Sequence, residues 1–272
     1  MTPTAALATL TPNARTVLAQ RYLRTDARGQ VIETPEEMFA RVARVVAGVD
    51  QHYDRRLDVA AQTAQYAALM TELRFLPNSP TLMNAGTPLG QLAACFVLPV
   101  EDDLTSIFNA VRDAALLHQS GGGVGYAFTH LRPQSDAVRS TGGVAAGPVA
   151  FMHIFDQTTE VIKQGGRRRG ANMGVLRVDH PDIMTFIHAK DQEGALSNFN
   201  LSVGVTDAFM EAMCHDRDFP LRHPGTGAVL RTLPARQIMA SIATAAWRSG
   251  DPRYALSRYH QSPPPSAPSR YD

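Results

Sequence analysis

Thiols are scarce. Cys95 and Cys214 are the only cysteines in the chain, and there is no CxxC pair. That excludes a disulfide framework and a cysteine-rich zinc site. The nine histidines are scattered, and none pairs with a cysteine or carboxylate at convincing ligand spacing, so no metal site is expected. An excess of one charge is missing too: 26 basic residues face 25 acidic ones. This balance argues against a general nucleic-acid binder and against a membrane-surface protein. No apolar run approaches the ~18–20 residues of a membrane span. The opening MTPTAALATLTPNART lacks a basic stretch followed by an apolar one, so no secretory leader is expected. Together these absences predict a cytoplasmic, disulfide-poor protein. With 44% hydrophobic and 19% charged residues, the remaining composition is that of an ordinary globular protein.

What stands out is the stretch from Gln164 to Gly174. It packs four glycines and three consecutive arginines, Arg167, Arg168 and Arg169, between an apolar helix-like run and an apolar strand-like run. Glycine permits close backbone approach to a ligand, and arginine offers a fixed fork of donors suited to phosphate. Composition alone leaves two readings open, an anion site or a solvated basic turn.

The first ~75 residues read as helices. Thr34-Pro35-Glu36-Glu37 is a compact start signal, with Thr34 as cap and Glu37 closing a capping box. Arg41 and Arg44 are expected on the solvated face of that helix. An alanine-rich helix follows over Leu57–Leu73. Leu76 to Thr81 reads as loop, its two prolines excluding helix. Leu92–Leu98 is a continuous apolar run, expected to be a strand buried on both faces. Alternating helix and strand signals continue: helix 102–118, strand 126–131 after the GGGVG run, helix 148–163, strand 173–178, a helix around 181–190, strand 200–205, then helices 207–214 and 234–249. This βα alternation predicts an α/β fold, a parallel sheet or barrel with helices outside. A fifth strand is due after Ser249, yet residues 253–272 show neither strand alternation nor a helical stripe and are expected to be disordered. Taken singly, the candidate residues are ambiguous. Cys95 suits a small core hydrophobe, and Cys214 a structural or surface thiol. Asp102 and Asp103 suit a helix N-cap, a role compatible with contacting a ribose. GGGVG precedes a strand, so it fails the dinucleotide fingerprint.

The segments PNSPTLMNAG (77–86), QLAACFVLPVEDDLTSIF (91–108), SGGGVGYAFTHLRP (120–133), STGGVAAGPVAFMHIFD (140–156), IKQGGRRRGANMGVLRVDHPDI (162–183) and SNFNLSVGVTDAFM (197–210) stand in one order. Together they resemble the large catalytic chain of ribonucleotide reductase, closest to its adenosylcobalamin-dependent class II. The resemblance runs over roughly residues 10–252. It implies an N-terminal helical region (1–75), an incomplete first half of a ten-stranded α/β barrel (76–252) and a Pro/Ser-rich non-homologous tail (253–272).

The resemblance also implies roles. Cys95 is one of two cysteines that deliver reducing equivalents and become a disulfide. Ser79, Ala94 and Gly123 lie against the ribonucleotide, a di- or triphosphate. Asp102, Asp103, Leu104, Arg132 and Arg139 meet a dNTP or ATP effector. The stretch Gln164, Arg167, Arg168, Arg169, Gly170 and Asn172 is the specificity loop relaying effector to substrate, with the arginines and Asn172 as readers. Adenosylcobalamin is the implied cofactor, though the residues that contact it are not identifiable. The implied partners are a thioredoxin-like reductant, acting through a C-terminal part absent from this sequence, and a second copy in a homodimer. The radical-carrying cysteine of the family and the partner of Cys95 have no counterpart here, so the chain is expected to be inactive alone. A non-catalytic deoxynucleotide-binding module, or a split subunit completed by another chain, stays open as the alternative. RNA binding through the Arg-Gly loop fits the balanced charge poorly.

Overall fold

The computed structural model describes residues 10–138, 142–162 and 170–256. Arg139, Gln164, Arg167, Arg168, Arg169 and residues 257–272 lie outside the described residues. The chain divides into two compact units. The first takes the residues up to Phe96 with Leu116–Gly123 and Gly170, and the second takes Val97–Ala115, Val124–Ile162 and the residues from Ala171 onward.

The first unit is helical. α1 spans Pro12–Arg21 behind a Thr11 cap, α2 spans Pro35–Asp50, and α3 spans Val59–Thr71 behind Asp58. The predicted capping box forms: Glu37 N–H donates to Thr34 Oγ1 at 3.2 Å, and Thr34 N–H donates to Glu37 Oε2 at 2.8 Å. Met38, Phe39, Val42 and Ala43 of α2 meet Met70, Leu82, Ala85 and Leu23 in one core. Each large apolar side chain there contributes about 1.5–3 kcal/mol of burial. Arg44 is exposed as expected; Arg41 is not. It is 6% exposed, pairs with Glu33 at 2.6 Å and donates to the carbonyls of Ala85 (2.6 Å) and Leu82 (3.3 Å). A guanidinium can be buried when nearly every donor finds an acceptor. Burial alone would raise the Glu33 pKa, but Arg41 and the Arg24 N–H lower it on balance.

Residues 76–81 depart from the loop expectation. α4 spans Ser79–Asn84. Asn78 caps it, accepting Thr81 N–H at 2.9 Å, and Pro80 stands in the first turn, where a missing N–H costs nothing.

The second unit is built on a sheet. β1 is Cys95–Leu98, β2 Gly123–Ala127, β5 Asn172–Arg177, β6 Phe199–Val205 and β9 Arg253–Leu256, in spatial order β1-β2-β5-β6-β9. β2–β5, β5–β6 and β6–β9 are parallel, with Val124 opposite Asn172, Asn172 opposite Phe199 and Ser202 opposite Arg253. Between them run α5 (Leu104–Gln119), α6 (Pro148–Ile162), α7 (Ile183–Ile187), α8 (Asp207–Cys214) and α9 (Ala235–Ser249). The expected α/β architecture is present. The fifth strand, judged missing from residue 253 onward, is β9. Four residues paired to β6 need no alternation to be held by a ladder of backbone bonds.

Phe155 of α6 packs on Tyr126 (centroids 4.6 Å) and edge-on to Phe128 (5.6 Å, 80°), and Phe199 of β6 closes the cluster. Two short antiparallel pairs have no counterpart in the sequence reading: β3 (Ala137–Val138) with β4 (Gly143–Val144), and β7 (Asp218–Arg222) with β8 (Val229–Pro234). Trp247, the only tryptophan, stands 87% exposed on α9. Among the described residues, no helix is long and apolar enough to cross a membrane.

Candidate functional site

In the first unit, α4 and the segment before β1 are tied together. Thr81 Oγ1 donates to Leu92 O at 3.1 Å, and Asn84 Nδ2 donates to Gln91 O at 2.9 Å. Ser79 opens α4, and its Oγ lies 3.0 Å from Tyr22 Oη. Gly123 N–H donates to Ala94 O at 2.7 Å, so two expected substrate-facing positions are direct backbone neighbours. Gly122 beside them has no room for a side chain: a Cβ would stand 2.8 Å from the Phe96 ring and 3.2 Å from Leu117 O. His118 is buried, its Nδ1 3.0 Å from Gly122 O. The glycine run, expected ahead of a strand over 126–131, instead enters β2 at Gly123.

Cys95 overturns its expectation of burial. It is exposed, and Val97, two residues on and on the same face, is 83% exposed. Cys95 and Val97 share an open face of β1 while Phe96 and Leu98 on the other face are half-buried, so the apolar run is not covered on both faces.

In the second unit, the two acids before α5 divide their work. Asp103 is the cap: its Oδ1 accepts Ser106 N–H at 2.8 Å and its carbonyl accepts Ile107 N–H at 3.1 Å. Asp102 turns to Arg132, accepting the backbone N–H at 3.1 Å and the side-chain Nε–H at 2.7 Å. The Arg132 side chain is 30% exposed and that of Asp102 is 35% exposed. Leu104 is 63% exposed. The structure therefore brings Asp102, Asp103 and Arg132 together, while Arg139 lies outside the described residues.

At the end of the Arg-rich stretch, Gly170 is buried, and Asn172 departs from its expected place. It is the first residue of β5, 1% exposed. Its Oδ1 accepts from Tyr126 Oη at 3.2 Å, and its Nδ2 donates to Thr159 Oγ1 at 2.7 Å. Burial holds the Tyr126 phenol protonated far above its usual range, which keeps it a donor to Asn172. Its side chain thus ties the start of β5 to β2 and α6.

Sequence reasoning missed His180, Asp182, His223 and Asp136, which surround the segment carrying Arg132. The His-Pro-Asp motif after β5 holds two of the four, but their partners are backbone atoms that leave no mark in the sequence. Among the described residues, no group of three or more His, Cys, Asp and Glu could hold a metal ion. A cavity of about 680 Å³ lies between Arg177, Asp179, Thr206, Glu211, Arg217 and Arg222. None of the predicted site residues lines it.

Known proteins place the chain. The model "Ribonucleotide reductase, all-alpha domain" matches residues 8–90, and "Ribonucleotide reductase, barrel domain" matches residues 93–258. The second match extends past Pro252, where the resemblance was expected to break. A vitamin B12-dependent ribonucleoside-diphosphate reductase of Mycobacterium tuberculosis is 49% identical over 88% of this chain. The one of Thermoplasma acidophilum is 43% identical over 89%. A ribonucleoside-diphosphate reductase large subunit of Arabidopsis thaliana is 32% identical over 76%. The chain spans only 39%, 34% and 25% of the lengths of the Thermoplasma, Mycobacterium and Arabidopsis proteins.

Proposed function

Because the chain belongs to the ribonucleotide reductase large-chain family, we propose that it is the nucleotide-handling portion of an adenosylcobalamin-dependent ribonucleoside-diphosphate reductase. In this reading the first unit holds substrate and the second holds a regulatory nucleotide. Ser79 and the backbone at Ala94 and Gly123 receive the ribonucleotide. Cys95 is one of two thiols that become a disulfide while the ribose 2′-hydroxyl leaves as water and hydrogen takes its place. Two thiol hydrogens and two electrons balance that exchange. An exposed Cys95 suits a thiol that has to meet substrate and then be re-reduced.

The observation that carries the regulatory part is the Asp102–Arg132 pair at the start of α5. Arg132 is a half-shielded guanidinium with a carboxylate occupying part of its fork, and a triphosphate offers it stronger, bidentate bonds. Effector binding there and substrate selection elsewhere are linked by a coupling free energy of about 1–3 kcal/mol in systems of this kind. The Arg-rich stretch 164–170 is the relay we assign to that coupling.

The relatives' names supply the cobalamin reading. Two cavities among the described residues do not fit a corrin. The 680 Å³ one is walled by charged groups, and an apolar one of about 360 Å³ in the helical unit is far too small. No step is therefore assigned to the cofactor. A thioredoxin-like reductant, a homodimer and a cytoplasmic setting belong to the same proposal.

Equilibrium dialysis of the 272-residue chain with each of the four dNTPs tests the reading. Arg132→Ala should weaken binding about tenfold, the value of one lost charged hydrogen-bond pair. Absence of binding by the unaltered chain overturns the effector assignment. Binding by the chain, with no reduction even when a second chain supplies the missing thiols, favours a non-catalytic deoxynucleotide-binding module.

A further inference from the structure

His180 directly follows the turn after β5 and is 1% exposed. Its Nδ1 accepts the Asp182 N–H at 3.0 Å, so the proton sits on Nε2, which donates to Leu131 O at 2.8 Å. Asp182 Oδ2 in turn accepts the Gln134 N–H at 2.8 Å. These bonds grip the backbone one residue before and two residues after Arg132, whose own N–H is held by Asp102. Farther along the same segment, Asp136 Oδ2 lies 3.0 Å from His223 Nε2. Gly147 closes the clamp from behind. Its φ is +79°, and a Cβ there would stand 2.8 Å from Asp182 Oδ2 and 2.9 Å from Gln134 N.

We propose that His180 and Asp182 are positioning residues of the effector site, holding Leu131–Gln134 so that Arg132 meets the phosphates of a deoxynucleoside triphosphate in a fixed pose. The proposal rests on the effector reading above. Both residues act through Arg132. A guanidinium on a pre-ordered segment loses less conformational freedom on binding than one on a segment that must first be ordered. His180 recognises the segment through a backbone carbonyl, and Asp182 through a backbone N–H. The clamp therefore depends on the geometry of residues 131–134 and is indifferent to their side chains.

The full chain is compared with His180→Gln, His180→Asn and Asp182→Ala, using two readouts: amide hydrogen exchange at residues 131–136, and dialysis against dATP and dTTP. Glutamine places a donor where Nε2 stood, and asparagine does not. We expect Asp182→Ala and His180→Asn to speed exchange at Gln134 and Arg132 and to weaken dNTP binding about tenfold, with His180→Gln restoring most of it. Faster exchange with unchanged dNTP affinity overturns the proposal, since the clamp is then merely structural. Should His180→Asn fail to fold, Asp182→Ala decides alone, because its bond reaches an exposed loop. An unaltered chain that binds neither nucleotide overturns the effector reading and this proposal with it, and is told apart by the wild-type arm.

Discussion

His180 also gives the chain a pH response of definite sign. Burial lowers its pKa from the ordinary 6.5, and Arg177 adds to that. The bond to Leu131 and the charges of Asp182 and Asp179 oppose it without reversing it. The unfolded chain therefore binds the proton first as pH falls. The stability tied to neutral His180 is complete above about 6.5 and is lost below it. Melting at pH 7.5 and pH 5.5 should show a lower midpoint at the acid value, and His180→Asn should remove part of that difference. An equal drop in the variant would assign the response elsewhere. Asp136 adds to the acid loss at lower pH: the hydrogen bond from His223 holds its pKa below the usual carboxylate value, so its contribution is lost as pH falls through the carboxylate range. Residue roles were unevenly legible. Asp102 and Arg132 stand 30 positions apart and were grouped by resemblance alone, and the structure joins them. Asn172 carries a polar side chain at the end of an Arg-rich stretch, which fits a reader as well as an anchor. Its burial against Tyr126 and Thr159 is tertiary packing that no sequence pattern carries. The His180 clamp closes on backbone atoms, which have no one-dimensional signature.

Helix α6 and strand β6 were legible as elements because an apolar stripe or run determines them. Elements set by partners were not. β8 and β9 are short strands whose side chains are half exposed or exposed, so pairing rather than pattern defines them, and β7 buries Phe219 and Leu221 in an alternation only five residues long. α4 was hidden by Pro80, which forbids helix only when a preceding turn needs its N–H. The glycines make a sharper test of element packing. At Gly122 an added methyl meets the Phe96 ring edge at 2.8 Å and the Leu117 carbonyl at 3.2 Å, neither of which can retreat easily. At Gly174 the nearest atom is Met152 Cε, also at 2.8 Å, the tip of a flexible chain. Gly122→Ala should therefore cost about 1–3 kcal/mol and Gly174→Ala clearly less, read by urea denaturation of each variant. Equal losses would mean that β1 shifts as freely as a methionine tip.

For the whole molecule, the fold class followed from βα alternation, and the family match covers both units. Catalytic completeness is a separate matter. The two cysteines present are both free, and the reaction proposed for the family consumes a thiol pair around Cys95 and needs a radical-carrying thiol besides. We expect the isolated chain to release no deoxyribonucleotide when given ribonucleotide, adenosylcobalamin and a dithiol, as followed by chromatography of the products. Turnover at rates scaling with chain concentration would refute this. The placement of Trp247 carries a practical consequence. An indole already standing in water fluoresces at nearly the wavelength it keeps in an unravelled chain. Intrinsic emission is thus almost blind to the fold that surrounds Phe155 and Phe199, and a chromophore moved inward beside that cluster would be needed to watch it form.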